Sequence, residues 1–134
     1  MERSEMYLHR KHFTVEEARS LVPDVAHLVV ELVELKRTLD AKEYDIYRHR
    51  YFGGMGPNGQ KHHPAELIRL VQIVQELDEG GILVKGLNEG LIDFPCIRQN
   101  GEEVYLCWKV GEQTIDFWHR IPDGYRGRKP IDDL

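Results

Sequence analysis

The chain has only two cysteines, Cys96 and Cys107, in 134 residues. Two are too few for a disulfide scaffold, and neither has a C-x-x-C partner, so both are expected to pack as small, reduced, apolar residues. Long apolar runs are missing as well. The strongest stretch, LVVELVEL, is broken by glutamates and falls far short of the roughly 20 residues that cross a bilayer. No membrane association is expected. The first residues, MERSEMYLHRKHFT, carry charges on both sides of isolated apolar residues and lack the apolar core of a secretory leader, which makes the cytoplasm the expected location. Net positive charge is lacking too. A net charge of −5 and a pI of about 5.8 argue against nucleic-acid binding, which needs clustered cations against phosphate. Metal signatures such as H-E-x-x-H do not occur.

What is present is the composition of an ordinary globular protein, 41% hydrophobic and 31% charged, at a length that fits a single domain over residues 1–134. Thr14 and Glu17 have the spacing of a capping box, with Phe13 ahead of them as a staple and Glu16 and Glu17 at the positive end of the helix dipole. Ala18, Leu21, Val25, Leu28, Leu32, Leu35 and Leu39 then recur at steps of three and four, the stripe of a long amphipathic helix. Val22, Val29, Val30 and Val33 widen it. Pro23 interrupts the N–H pattern, and a kink there is preferred to a break. No breaker precedes Phe52, so the helix is expected to reach Tyr51, about 38 residues and about 57 Å. A second helix starts at Pro64 and buries Leu67, Ile68, Leu70, Val71, Val74 and Leu77 before Gly80-Gly81. It is less than half as long as the first. The uncovered length of the first helix predicts a homodimer built along it.

From Ile82 the period changes to two. IDFPCIRQNGEEVYLCWKVGEQTIDFWH reads as a three-stranded antiparallel meander, with Asn100-Gly101 and Gly111-Glu112 as two-residue turns. That register sets Ile97 against Val104, Phe94 against Cys107, Cys107 against Asp116 and Tyr105 against Trp118. One face, Val104, Leu106, Trp108, Val110, Ile115 and Phe117, is apolar and expected on the helices; Tyr105, Cys107, Lys109, Asp116 and Trp118 form the other. Residues 121–134, with Pro-Asp-Gly turn chemistry, read as a surface strap. The whole is an α+β domain: a helical hairpin over 13–81 with a glycine-rich connector at 52–63, a β-meander over 82–120, and the strap.

The connector RHRYFGGMGPNGQKHHP, Arg48–Pro64, has no carboxylate. Its glycines match G-x-G-x-x-G, but a helix rather than a strand precedes them, and Gln60 stands where a phosphate loop needs lysine, so a nucleotide site is not expected. Its histidines are more informative. His62, His63 and Glu66 start the second helix and His49 lies near the end of the first, so a hairpin would bring together imidazoles and a carboxylate suited to zinc, iron, nickel or manganese. Two segments are locally basic, Arg48–His63 and Arg120–Lys129. Arg48, Arg50, Lys61, Arg126 and Arg128 on one surface would hold a small anion. Tyr105, Trp118, His119 and Tyr125 with Asp93 and Arg128 could converge on one sheet face to bind a planar anion or a partner's aromatic side chain. His9-x-x-His12 is a weaker metal pair because it lies before the helix cap, His27 reads as a solvated group on the polar side of the first helix, and an acid beside Cys107 would raise its pKa and disfavour a nucleophilic thiol.

The motifs GLIDFP at Gly90–Pro95, EVYLCWKVGE at Glu103–Glu112, IDFWH at Ile115–His119 and GYRGRKPI at Gly124–Ile131 resemble a bacterial family catalogued as domain of unknown function 2203. FTVEEARSLVPDV, Phe13–Val25, resembles that family's opening, so the resemblance spans nearly the whole chain. It implies an identity but no activity. The expected function is a non-enzymatic domain that self-associates or binds a partner. The alternatives are a metal-binding protein or metal-dependent enzyme using His49, His62, His63 and Glu66, and an anion-binding regulator.

Overall fold

A computed structural model describes residues 7–48, 50–52 and 63–134, without the side chains of Arg48 and Arg50. Two helices, α1 (Val15–Ala41) and α2 (Ala65–Glu79), pack on one face of a five-stranded antiparallel sheet. The strands β1 (Leu83–Gly86), β2 (Leu91–Ile97), β3 (Glu103–Lys109), β4 (Phe117–Arg120) and β5 (Lys129–Pro130) lie side by side in chain order. The class is α+β as expected, with two short edge strands beyond the three read from the sequence. Both had been hidden by their length, since β1 has four residues and β5 two.

α1 starts where its chemistry says. Thr14 Oγ1 accepts from Glu17 N–H at 3.1 Å and Glu17 Oε1 accepts from Thr14 N–H at 2.9 Å, closing the capping box. The helix is continuous through Pro23 but stops at Ala41 instead of running to Tyr51. A Schellman-type end closes it: Tyr44 N–H reaches Leu39 C=O at 2.9 Å, with Glu43 in the left-handed region at φ 57°. Glycine is the usual signal for that conformation, and its absence here made the end illegible. The 27 residues of α1 span about 40 Å, so the helix is nearly a third shorter than expected and its excess over α2, which argued for a dimer, shrinks by nearly half.

The buried positions of α1 are Ala18, Val22, Val25, Val29, Leu32, Lys36 and Leu39. Leu21, Leu28 and Leu35 are only partly covered, so the seam is rotated by one position from the leucine stripe. α2 lies antiparallel against it. Lys42 pairs with Glu66 at one end, Arg69 forks onto Glu31 at 2.8 and 3.1 Å in the middle, and Leu21 and Leu28 meet Leu77 at the other end. Phe94, Leu106, Trp108 and Trp118 supply the sheet side of the core, with Phe13 set edge-on to Phe94 at 5.4 Å.

Both strand connections are longer than two residues, which corrects the expected register. Between β2 and β3, Arg98 N–H bonds Glu102 C=O at 2.8 Å and Gly101 N–H bonds Arg98 C=O at 2.8 Å. With Gly101 at φ 91°, this is a three-residue turn ending in a left-handed glycine, which Asn-Gly serves as readily as the two-residue form. The β3–β4 connection is residues 110–116, pinned by Trp108 Nε1–H donating to Glu112 C=O at 3.0 Å. Each pairing therefore slips by one: Asp93 faces Cys107, Tyr105 faces His119, Leu106 faces Trp118 and Cys107 faces Phe117. A one-residue slip exchanges the faces of a strand. Trp118 joins the core and Phe117 turns outward, the reverse of the expectation for both.

Candidate functional site

The slip decides which groups meet on the outer face of the sheet. Asp93, Tyr105, Cys107 and His119 all stand there, on the three central strands. An outer sheet face is ordinarily wet, but this one is covered. Asp93, Cys107 and His119 are only 2%, 1% and 3% exposed. Residues 7–12 reach over the Tyr105 side, where Tyr7 O–H donates to Gly101 C=O at 3.0 Å and His9 Nε2 shares a 2.6 Å hydrogen bond with the Tyr105 hydroxyl. The strap covers the other side with Ile121, Gly124 and Tyr125, and Lys85 of β1 leans in with its ammonium 4.9 Å from the Tyr105 ring centre. A cleft of about 240 Å³ remains between them, floored by the buried triad.

The triad is tightly organised. His119 Nδ1–H donates to the Arg120 carbonyl at 2.8 Å, which leaves Nε2 directed at the Asp93 carboxylate, 3.2 Å from Oδ1 and 3.1 Å from Oδ2. Both ring nitrogens thus face acceptors, so a second proton is required, on the ring or on Asp93. Burial opposes charge on the ring, but the hydrogen bonds to Asp93 and Arg120 outweigh it and raise the His119 pKa above its ordinary value. Cys107 is the opposite case. Burial, and then the charge of Asp93, push its thiol up to about 12, and the S–H is held on Asp93. Burial, with Asp93 and Glu103 adding to it, also raises Tyr105. As it stands the floor is a buried imidazole–carboxylate pair beside a protonated thiol, and holds no activated nucleophile.

The covering N-terminal segment hangs on one carboxylate. Glu103 Oε1 accepts from Leu8 N–H at 2.8 Å, and Oε2 accepts from His9 N–H at 3.0 Å and His12 Nε2–H at 2.7 Å. Burial works against its charge, but these three donors prevail and hold its pKa below the usual carboxylate value. Sequence reading overlooked Glu103, because its partners lie more than 90 residues away. His9 and His12, weighed in the sequence as a weak metal pair, are part of this anchor.

Of the expected binding residues, Tyr105, His119, Asp93 and Tyr125 do meet at the cleft, while Trp118 lies in the core, its Nε1–H donating to Pro130 C=O at 3.0 Å. Arg128 is held between the rings of Phe117 and Tyr125, 4.0 and 4.9 Å from their centres, and donates to Glu112 at 2.5 Å. Its Nε is buried without a partner among the described residues. Arg126 borders an adjoining hollow with Lys109, Glu89 and Asp123. In the connector, His49, Lys61 and His62 lie outside the described residues, as do the side chains of Arg48 and Arg50. His63 Nδ1 shares a 2.7 Å hydrogen bond with Tyr44 O–H, and Glu66 is paired with Lys42. Lys85 was missed, and Cys107, read on this face with its pKa raised by an opposing acid, has Asp93 as that acid and not Asp116. The signal was there in the odd-numbered residues of adjacent strands, but it required the correct turn lengths, and the expected register set Cys107 against Asp116.

Among the described residues, no helix is long and apolar enough to cross a membrane. Comparison with curated proteins and with solved structures gave no match. The family model described as "Uncharacterized conserved protein (DUF2203)" matches residues 11–131, which include both helices, the β-meander, the triad and most of the strap. The chain belongs to the DUF2203 family.

Proposed function

We propose that the protein is a small-ligand-binding domain whose site is the cleft on the outer face of the sheet, and that its ligand is a small anion. The observation that carries this is His119, a buried imidazole with acceptors at both nitrogens on the floor of a solvent-open cleft. With Lys85 at the rim and Asp93, shielded by the proton it shares with His119, as the one carboxylate of the cleft lining among the described residues, the local charge is positive in a chain of net −5. Tyr105 and Tyr125 give the cleft aromatic walls. At about 240 Å³ the space suits a ligand of few atoms, below the range of most drug-sized pockets. Cys107 is a protonated thiol, which favours binding over nucleophilic catalysis.

A thermal-shift series in EDTA with phosphate, sulfate, acetate and small dicarboxylates tests this. An anion at about 100 times its Kd should stabilise the protein by about 2.7 kcal/mol, and Lys85→Ala should remove most of that gain. If no anion raises the melting temperature, or if Lys85→Ala keeps the full effect, the reading is wrong. Self-association along α1 is the second reading, favoured by Val30 and Ile68, which stand exposed on the two helices. The length mismatch that first suggested it is smaller than expected, 27 residues of α1 against 15 of α2.

A further inference from the structure

We infer that Asp93, Cys107 and His119 form a transition-metal site suited to zinc, with one coordination position open to the cleft, where a small oxyanion completes the shell. The inference rests on the reading of this cleft as the ligand site. The three side chains offer one oxygen, one sulfur and one nitrogen, all within 4.8 Å of one another. Tetrahedral zinc, with bonds of about 2.0 to 2.3 Å, sets neighbouring ligand atoms about 3.3 to 3.6 Å apart. A small inward adjustment of the three ligand atoms satisfies that spacing.

The length of the His119–Asp93 contact is the second argument. Three other charge-assisted pairs with a part-buried partner close to shorter distances, His12 to Glu103 at 2.7 Å, Lys36 to Asp40 at 2.6 Å and Arg98 to Glu102 at 2.8 Å, while the more exposed Arg120–Glu102 pair stands at 3.2 Å. The His119–Asp93 pair is more deeply buried than any of these, yet Nε2 stays 3.1 and 3.2 Å from the two oxygens and favours neither. This forked contact lies within about 0.2 Å of the spacing that two ligands of one tetrahedral ion keep, so little movement separates the hydrogen-bonded pair from a metal-bound one. The third argument is the outer partner. His119 Nδ1–H is held by the Arg120 carbonyl, the arrangement that sets the tautomer and aims Nε2 in metal-binding histidines. Nothing in the fold requires these groups, because apolar residues would pack a covered sheet face at lower desolvation cost.

The donor set selects the ion. Thiolate with imidazole and a single carboxylate suits zinc and its neighbours and disfavours magnesium or calcium, which want oxygen throughout. Three protein ligands leave a fourth position, and the cleft that all three line gives access to it. Binding balances in charge: the Cys107 S–H proton and the second proton of the His119–Asp93 pair depart as a dication enters. The cleft therefore presents the same net charge to an anion in either state, and the ion adds a direct bond.

Cobalt(II) titration of protein prepared without a histidine tag is the test. The expected result is one ion per chain, visible bands of a four-coordinate ion, and a thiolate-to-cobalt charge-transfer band, all displaced by zinc. Cys107→Ser should abolish the charge-transfer band and weaken binding by at least about 100-fold. Asp93→Asn should weaken binding but keep that band, a result that holds even if Cys107→Ser fails to fold. Added acetate or phosphate should shift the visible bands. Absence of saturable cobalt bands overturns the inference, as does a band that survives in Cys107→Ser or loss of metal confined to His63→Ala, which would put the ion at the connector. Cobalt bands that no anion shifts overturn the open position. Cobalt bands in a protein that no anion stabilises in EDTA overturn the anion reading alone and leave the metal site standing.

Discussion

Replacing Glu103 by glutamine should loosen the N-terminal segment that covers the candidate site. The wild-type carboxylate, 9% exposed, accepts three hydrogen bonds, from Leu8 N–H, His9 N–H and His12 Nε2–H. Glutamine keeps one acceptor oxygen. In its better orientation that oxygen retains His9 and His12 as neutral-acceptor bonds, while the amide NH₂ turns on the Leu8 N–H, donor against donor. Losing one bond costs about 1 kcal/mol, and removing the charge from two others costs about 0.5 kcal/mol each, a total of about 2 kcal/mol. For a domain of this size that is a fall in melting temperature of about 7 °C.

The pH dependence carries the sign. The Glu103 pKa is depressed in the folded state, so its contribution is complete above the ordinary carboxylate value of about 4.5 and is lost as pH falls through the lower folded value. Wild type and variant should therefore differ most near neutrality and converge in acid. Urea denaturation across pH measures this, with amide exchange at Leu8 and His9 reporting the segment directly. A melting temperature within about 2 °C of wild type, with unchanged exchange at both amides, would refute the reasoning. So would a gap that widens on acidification.

Two further substitutions test the helices. Glu43→Gly should stabilise by about 0.5 to 1 kcal/mol, read as a higher urea midpoint, since glycine relieves the left-handed φ of 57° and returns only part of that gain as unfolded-chain entropy; a lower midpoint would contradict the observed helix end. Lys36 occupies the buried seam of α1, with its ammonium on Asp40. Lys36→Met should be neutral or raise stability by up to about 1 kcal/mol in calorimetry, because a thioether of similar length needs no counter-ion; a loss beyond about 1 kcal/mol would show the ion pair to be needed.

The helices were legible because their signals are local. Thr14 and Glu17 are three residues apart and close the capping box whatever surrounds them, and the apolar steps of α1 and α2 follow from the helical period alone. The end of α1 was not legible, since a left-handed Glu43 pays a conformational cost that only the packing of Tyr44 and Leu39, both buried, can offset. The strands were legible as strands, but not in register. The faces of Val104-Tyr105-Leu106-Cys107-Trp108 were read as the structure has them, but Asn100-Gly101 fits two turn lengths, and the partners of these residues depend on which is used.

The same ambiguity hid the site. Asp93, Cys107 and His119 lie on three strands, and a shift of one residue at either turn separates them. The sequence by itself determined the α+β class, the capped start of α1, the short second helix and the presence of histidine, acid and aromatic residues on the sheet. Only the tertiary structure decided which of them share a face, that Trp118 is core while Cys107 lines the cleft, and that residues 7–12 shelter that face. Side-chain period is a property of the chain, whereas register is a relation between chains of contacts closed by turns, and a single residue in a turn reverses it.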